Sequence, residues 1–241
     1  MLFSILQGGD PRWIVAQLLL TLPVILMALS IHEAAHGYAA YLCGDHTARN
    51  MGRLTLNPLK HLDLMGALCM LIVGYGWAKP VPVNTRNFRN PKRGMAITAA
   101  AGPLANLLLG VFGALLAGTL TALYSYTVYA GIAEIWQNVC FWGALLFQLM
   151  AQMNFLFMAF NLIPVPPFDG SRIALVFLPQ KLYFKVMVYE RQIMFGVLIA
   201  MLALSYFGFS PFGWIATSLT DLIVDPVTNG VWALLRPLLM Q

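Results

Sequence analysis

His32-Glu33-Ala34-Ala35-His36 sets two imidazoles and a carboxylate at a spacing that suits metal-assisted hydrolysis. On a helix, residues i and i+4 share a face, so His32 and His36 can reach one metal ion while Glu33 reaches a water beside it. Catalytic zinc takes three protein ligands and keeps a fourth position open, so a third ligand has to come from elsewhere in the chain. Asp169 is the candidate. It is the only acid between Glu134 and Glu190, it follows Pro164, Pro166 and Pro167, and it precedes Gly170, whose backbone turns sharply at no steric cost. Glu33 is then placed to take a proton from water and pass it to a leaving amine.

HExxH is a short pattern that arises by chance in unrelated chains. Its setting gives it weight: it lies in the apolar run of residues 12–43, where an acid near mid-span costs roughly 2.5–3.5 kcal/mol by insertion scales. Asp169 has a plainer reading as an Asp-Gly turn residue. Asn106 and Asn161 each have two readings, hydrogen bonding between helices or holding a peptide carbonyl and its developing charge. His46 and His61, near Asp45 and Asp63, suit supporting or surface roles better than ligation. Cys43, Cys69 and Cys140 have no paired spacing and are assigned neither a disulfide nor a metal.

These residues need a frame, and the composition says what kind. With 60% apolar and 10% charged residues and a mean hydropathy of +0.75, the chain has lipid as its main solvent. Residues 12–43, 94–123, 136–163, 192–209 and 212–235 are candidate membrane helices, the last interrupted by Asp221 and Asp225. The expected fold is an all-α polytopic membrane protein of about five to six transmembrane helices. It is expected to be one membrane-embedded domain over 1–241, with a core over about 12–175 and C-terminal helices over about 190–241. Arg12 precedes an apolar stretch without a small-residue cleavage site, so the N-terminus is expected to be retained.

The first helix should stop at Gly44-Asp45. The apolar stretch 64–75 is too short to cross a membrane and reads as re-entrant or interfacial. Trp77 to Asn84 alternates prolines and should run extended, as a small β element whose edge can pair with another chain. The segment from Gly94 through Ala99-Ala100-Ala101-Gly102-Pro103 is rich in small residues that let helices approach closely.

A net charge of +5 raises the possibility of nucleic acid, but the pattern fits membrane topology instead. Of fourteen Lys and Arg, eight lie between Arg49 and Arg93 and four between Arg172 and Arg191. Both regions are therefore expected to face the cytoplasm, with 124–135 and 207–213 outside, which puts His32 and His36 in the cytoplasmic half.

The chain resembles the site-2 protease family of intramembrane zinc metalloproteases, as a compact bacterial-type member. The likeness rests on HEAAH at 32–36, AGPLAN at 101–106 and NLIPVPPFDG at 161–170, with support from GRLTLNPLKHLD at 52–63 and GWAKPVPVN at 76–84. It implies one zinc per chain on His32, His36 and Asp169, Glu33 as general base, and Asn106 and Asn161 as substrate-positioning residues. It implies a bacterial plasma-membrane location, a transmembrane protein or peptide as substrate, and a re-entrant 64–84 region beside the substrate path. Two features depart from the pattern: Leu64 stands where a proline follows His-Leu-Asp, and no PDZ or CBS-pair sequence is present, so regulation by such modules is not expected. The rival class is a non-enzymatic membrane metal-binding protein, either a metal transporter or an inactive protease-like binder. A transporter needs a relay of sites, and an inactive relative has typically lost the glutamate or a ligand, whereas all four residues stand here.

Overall fold

An apolar run closed by glycine makes a helix with a defined stop, and the computed structural model shows this at the chemically loaded end of the chain. It describes residues 11–66, 78–166, 168–177, 179, 188–207 and 211–239. Helix α1 spans Pro11–Leu42. Gly44 takes φ +107°, its N–H donates to the Tyr41 carbonyl, and the Asp45 N–H donates to that of Ala40. Those two bonds form a Schellman stop, and the left-handed backbone at its centre favours glycine.

Two one-turn helices follow, α2 (Thr47–Asn50) and α3 (Pro58–His61). Gly52, at φ +64°, ends α2 in the same way, and the Arg53 N–H donates to the Ala48 carbonyl. After a 3-10 turn at Thr85–Asn87, helix α4 covers Pro91–Tyr129. Asn90 caps it by accepting from the Arg93 N–H, and Pro91 fills the first helical position, where a missing N–H costs nothing. Helix α5 covers Glu134–Asn161 and stops where Pro164 and Pro166 remove donors and fix φ. Helices α6 (Asp169–Leu175), α7 (Glu190–Tyr206) and α8 (Pro211–Leu235) follow among the described residues, with a 3-10 turn at Arg236–Leu239.

Among the described residues, three helical stretches are long and apolar enough to cross a membrane: Leu19–Leu42, Pro91–Tyr129 and Glu134–Asn161. The 17 residues of α7 rise only about 26 Å against a hydrocarbon core of about 30 Å. Helix α8 has the length, but Asp221 and Asp225 break its apolar run. Among the described residues there is no strand. Residues 78–84 run without helix or ladder, and 67–77, which hold most of the expected re-entrant element and Cys69, lie outside the described residues.

The chain divides into two compact units. One comprises Met1–Asn106 with Phe157–Pro211 and carries every candidate site residue. The other comprises Leu107–Leu156 with Phe212–Gln241. Its core is Ala114, Ala117, Ala151, Phe155, Ala216 and Val224. Within it Gly113 lies against the backbone of Ala151, and Gly118 against Val224, so small residues set the close helix packing there.

Candidate metal centre

His32 and His36 lie in the last third of α1, one turn apart, both buried, with their rings edge to face at 4.5 Å. Each ring is fixed through its Nδ1. His36 Nδ1 lies 2.6 Å from the Thr98 carbonyl oxygen, which can only accept, so in the neutral ring Nδ1 carries the proton and Nε2 keeps a lone pair. His32 Nδ1 donates to Asn106 Oδ1 at 3.2 Å, with the same consequence for its Nε2. The two Nε2 atoms therefore face each other at 2.9 Å.

The third group arrives from the start of α6. Pro164 and Pro166 end the preceding helix, and Gly170 lets the chain fold back against it: a Cβ at Gly170 would collide with the Leu162 carbonyl. Phe168 packs edge to face on Phe160, and the Ser171 hydroxyl donates to the Phe168 carbonyl at 2.7 Å. This turn presents Asp169 Oδ2 at 3.2 Å from His32 Nε2 and 3.1 Å from His36 Nε2. The buried oxygen makes no well-directed hydrogen bond with either.

Two lone pairs and a carboxylate oxygen thus converge on one point, an arrangement that needs a cation to balance it. A tetrahedral zinc with bonds of about 2.0–2.1 Å holds its ligand atoms about 3.3 Å apart, close to the 2.9–3.2 Å found here. Helix α4 leaves the room: a Cβ on Gly102 would stand 2.5 Å from His36 Nε2 and 2.6 Å from His32 Cε1. The three residues therefore fit the ion. They are the one group of three such ligands among the described residues.

Glu33 follows His32 on α1 but turns toward a different partner. Its Oε2 accepts from the Val81 N–H at 2.8 Å. Residues 79–84 form a strap over α1, tied at both ends. The Lys79 N–H donates to the His61 carbonyl, and Arg53 Nη2 donates to the carbonyls of Lys79 and Pro80 at 2.8 and 3.2 Å. At the other end the Asn84 N–H donates to Asp45 Oδ2 at 2.7 Å. Asp45 is fully buried, and its Oδ1 also accepts from the Thr47 N–H and hydroxyl and from Asn87 Nδ2. Burial pushes the Asp45 carboxyl up, but the bonds from Thr47, Asn84 and Asn87 outweigh it and hold the group below its ordinary value.

Of the extended edge expected over 77–84, the N–H groups of Lys79, Val81 and Asn84 are taken within the chain, and Trp77 lies outside the described residues. Asn161, which the family resemblance grouped with Asn106, donates to the Phe157 carbonyl of its own helix. His61 is buried and bonded to the Thr55 carbonyl, while His46 stacks edge to face on Tyr41. Sequence reasoning missed Thr98, Arg53, Val81 and Asp45 as partners. Only Asp45 carried a signal, an acid directly after the helix-stopping glycine.

The model of peptidase family M50 matches residues 127–204. The YwhC protein of Bacillus subtilis (strain 168), which bears the provisional name of a zinc metalloprotease, is 40% identical over 149 residues, covering 62% of this chain and 64% of its own length. The Rip2 protein of Mycolicibacterium smegmatis, named in the same way, is 33% identical over 177 residues, 68% of this chain and 62% of its own. Rip2 of Mycobacterium tuberculosis is 32% identical over 151 residues, 60% of this chain and 52% of its own. The chain therefore spans less than two thirds of the length of these relatives. No solved structure matches it.

Proposed function

Because the chain belongs to peptidase family M50, the site-2 protease family, we propose that it is an intramembrane zinc endopeptidase that hydrolyses peptide bonds within or near transmembrane segments of other proteins. The observation that carries this reading is the convergence of His32 Nε2, His36 Nε2 and Asp169 Oδ2 within 2.9–3.2 Å, with both Nδ1 atoms committed elsewhere. Those three residues are the zinc ligands, one ion per chain. Zinc, when bound, supplies a Lewis acid and lowers the pKa of a coordinated water from about 15.7 to ~7.

The chain's own residues do the rest. Glu33 is the general base: its Oε2 is tied to the strap, which leaves Oε1 to take a proton from water and return it to the leaving amine. Asn106 orients His32 through Oδ1, and its buried Nδ2 has no partner among the described residues, so it serves as the donor that holds a substrate carbonyl. Asn161, at the end of the helix that precedes the Asp169 turn, is the second substrate-positioning residue. A helical peptide bond is shielded by its own hydrogen bonds, so the substrate must unwind before its carbonyl is reached.

Three apolar helices make the protein an integral membrane protein. The excess of Lys and Arg in the 49–93 and 172–191 regions supports a site that faces the cytoplasm of a bacterial cell membrane. The test is cleavage of a panel of single-span substrates by purified protein, with zinc content measured in parallel. Wild type cleaves at least one substrate, and Glu33→Gln keeps its zinc but loses about 100-fold or more in rate. Equal cleavage by the two would remove Glu33 from the reaction, and the reading with it.

A further inference from the structure

We propose that Arg53 is a positioning residue for Glu33, acting through the single peptide group that joins Pro80 to Val81. This rests on Glu33 as the general base. The carbonyl of that peptide, on Pro80, accepts from Arg53 Nη2 at 3.2 Å, and its N–H, on Val81, donates to Glu33 Oε2 at 2.8 Å. One planar amide therefore stands between a permanent cation and a carboxylate, its dipole aligned with both. Each bond polarises the other, because a carbonyl drawn on by a guanidinium makes its N–H a stronger donor.

The neighbouring sequence isolates this one contact. Pro80 and Pro82 have no N–H, so Val81 supplies the only backbone donor of that tripeptide, and the prolines fix φ on either side of it. Arg53 is set by the stop of α2: Gly52 at φ +64° and the Arg53 N–H on the Ala48 carbonyl aim its side chain at the strap. Its second bond, to the Lys79 carbonyl at 2.8 Å, sets the next peptide along. Gly37, one turn beyond Glu33, gives the strap its seat, since a Cβ there would stand 3.2 Å from Val81 Cγ1. Glu33 reaches its position as one oxygen held and one left for chemistry. A carboxylate rotating freely would present that second oxygen in the right direction only part of the time.

Both bonds come from the one nitrogen Nη2, and an ammonium also carries more than one donor on a flexible stem, so lysine should restore part of the effect. The experiment uses full-length protein, a single-span fusion substrate selected for cleavage by wild type, and measured kcat, KM and zinc content. Arg53→Gln should lower kcat by about tenfold, as expected of a misplacement under 1 Å, with KM within about twofold and zinc content as in wild type. Arg53→Lys should recover part of that loss. Val81→Pro removes the N–H and should lower kcat similarly. The double variant Arg53→Gln with Val81→Pro should be no slower than the worse single variant, because both break one path. Gly37→Ala, which shifts Val81 without touching a charge, should give a smaller loss in kcat alone.

Multiplicative losses in the double variant, or an Arg53→Gln effect confined to KM or to zinc content, would overturn the proposal. Failure of the underlying reading looks different: Glu33→Gln, in the same assay, would then cleave normally. If Glu33→Gln is inactive and Arg53→Gln is as fast as wild type, the base stands and the coupling is wrong.

Discussion

Helices α1 and α8 each carry two ionisable or ligating side chains one turn apart in a largely apolar sequence, His32 with His36 and Asp221 with Asp225. By spacing and by the expense of polar groups in a membrane the two pairs look alike. The structure separates them. The histidines are buried, each with its Nδ1 held, and a third ligand comes to them from α6. The aspartates are exposed, on a helix that has the length of a membrane span but not its apolarity, and belong to no metal-binding group among the described residues. Spacing on a helix offers two ligands at most. A site is made when other elements fix the unused atoms of those ligands and deliver the third.

The largest effect that can break this contrast is loss of a ligand. Outer-shell partners of metal ligands typically cost about 10–100-fold in affinity, so removing a ligand should cost more. His32→Ala and Asp169→Ala should be purified essentially without zinc, while Asp221→Ala and Asp225→Ala keep the wild-type content, by elemental analysis. Equal zinc in all four would dissolve the distinction between the pairs.

Next in size is the contrast between the two asparagines. Asn106→Ala frees His32 Nδ1 and should weaken zinc binding by about 10–100-fold in competition with a chelator. Asn161→Ala, whose side chain bonds only its own helix among the contacts described, should leave zinc affinity unchanged and slow cleavage alone. A drop in zinc affinity for Asn161→Ala would show that its helix end bears on the metal.

Gly102→Ala sharpens the packing side of the account. In an ordinary helix this change gains roughly 0.5–1 kcal/mol. Here the new Cβ would lie 2.5 Å from His36 Nε2, and overpacking of that kind costs about 1–3 kcal/mol, read as about tenfold weaker zinc retention. Unchanged retention would mean that α4 does not close the site.

The smallest effect concerns the tie between α1 and the strap. Asp45 has a carboxyl held below its ordinary value of 3.8, so its contribution is fully present above that pH and is lost as pH falls through the lower folded value. Asp45→Asn sets an amide N–H against donors and should cost about 1–3 kcal/mol at neutral pH. Thermal unfolding should show that the gap between the two proteins is widest at neutral pH and shrinks below about pH 4. A gap independent of pH would exclude the Asp45 charge as its source.

Much of this was legible beforehand because it is local. The HEAAH spacing, the Gly44 stop and the Pro-broken approach to Asp169 depend on residues near in sequence, and each appears as read. What was not legible depends on long separations. Asn106 is 74 residues from His32, Thr98 is 62 from His36, and Val81 is 48 from Glu33. The Thr98 and Val81 contacts are made by backbone atoms, which every residue carries, so the sequence marks nothing there. The alternating prolines did forecast an extended segment, but the pattern could not say that its donors would be used within the chain.

X-ray absorption at the zinc edge of the purified full-length protein tests the central claim most directly. The account predicts one zinc per chain with two imidazole nitrogens and oxygen donors at about 2.0–2.1 Å. A protein that takes up no zinc, or a shell containing sulfur at about 2.3 Å from a cysteine, would contradict it.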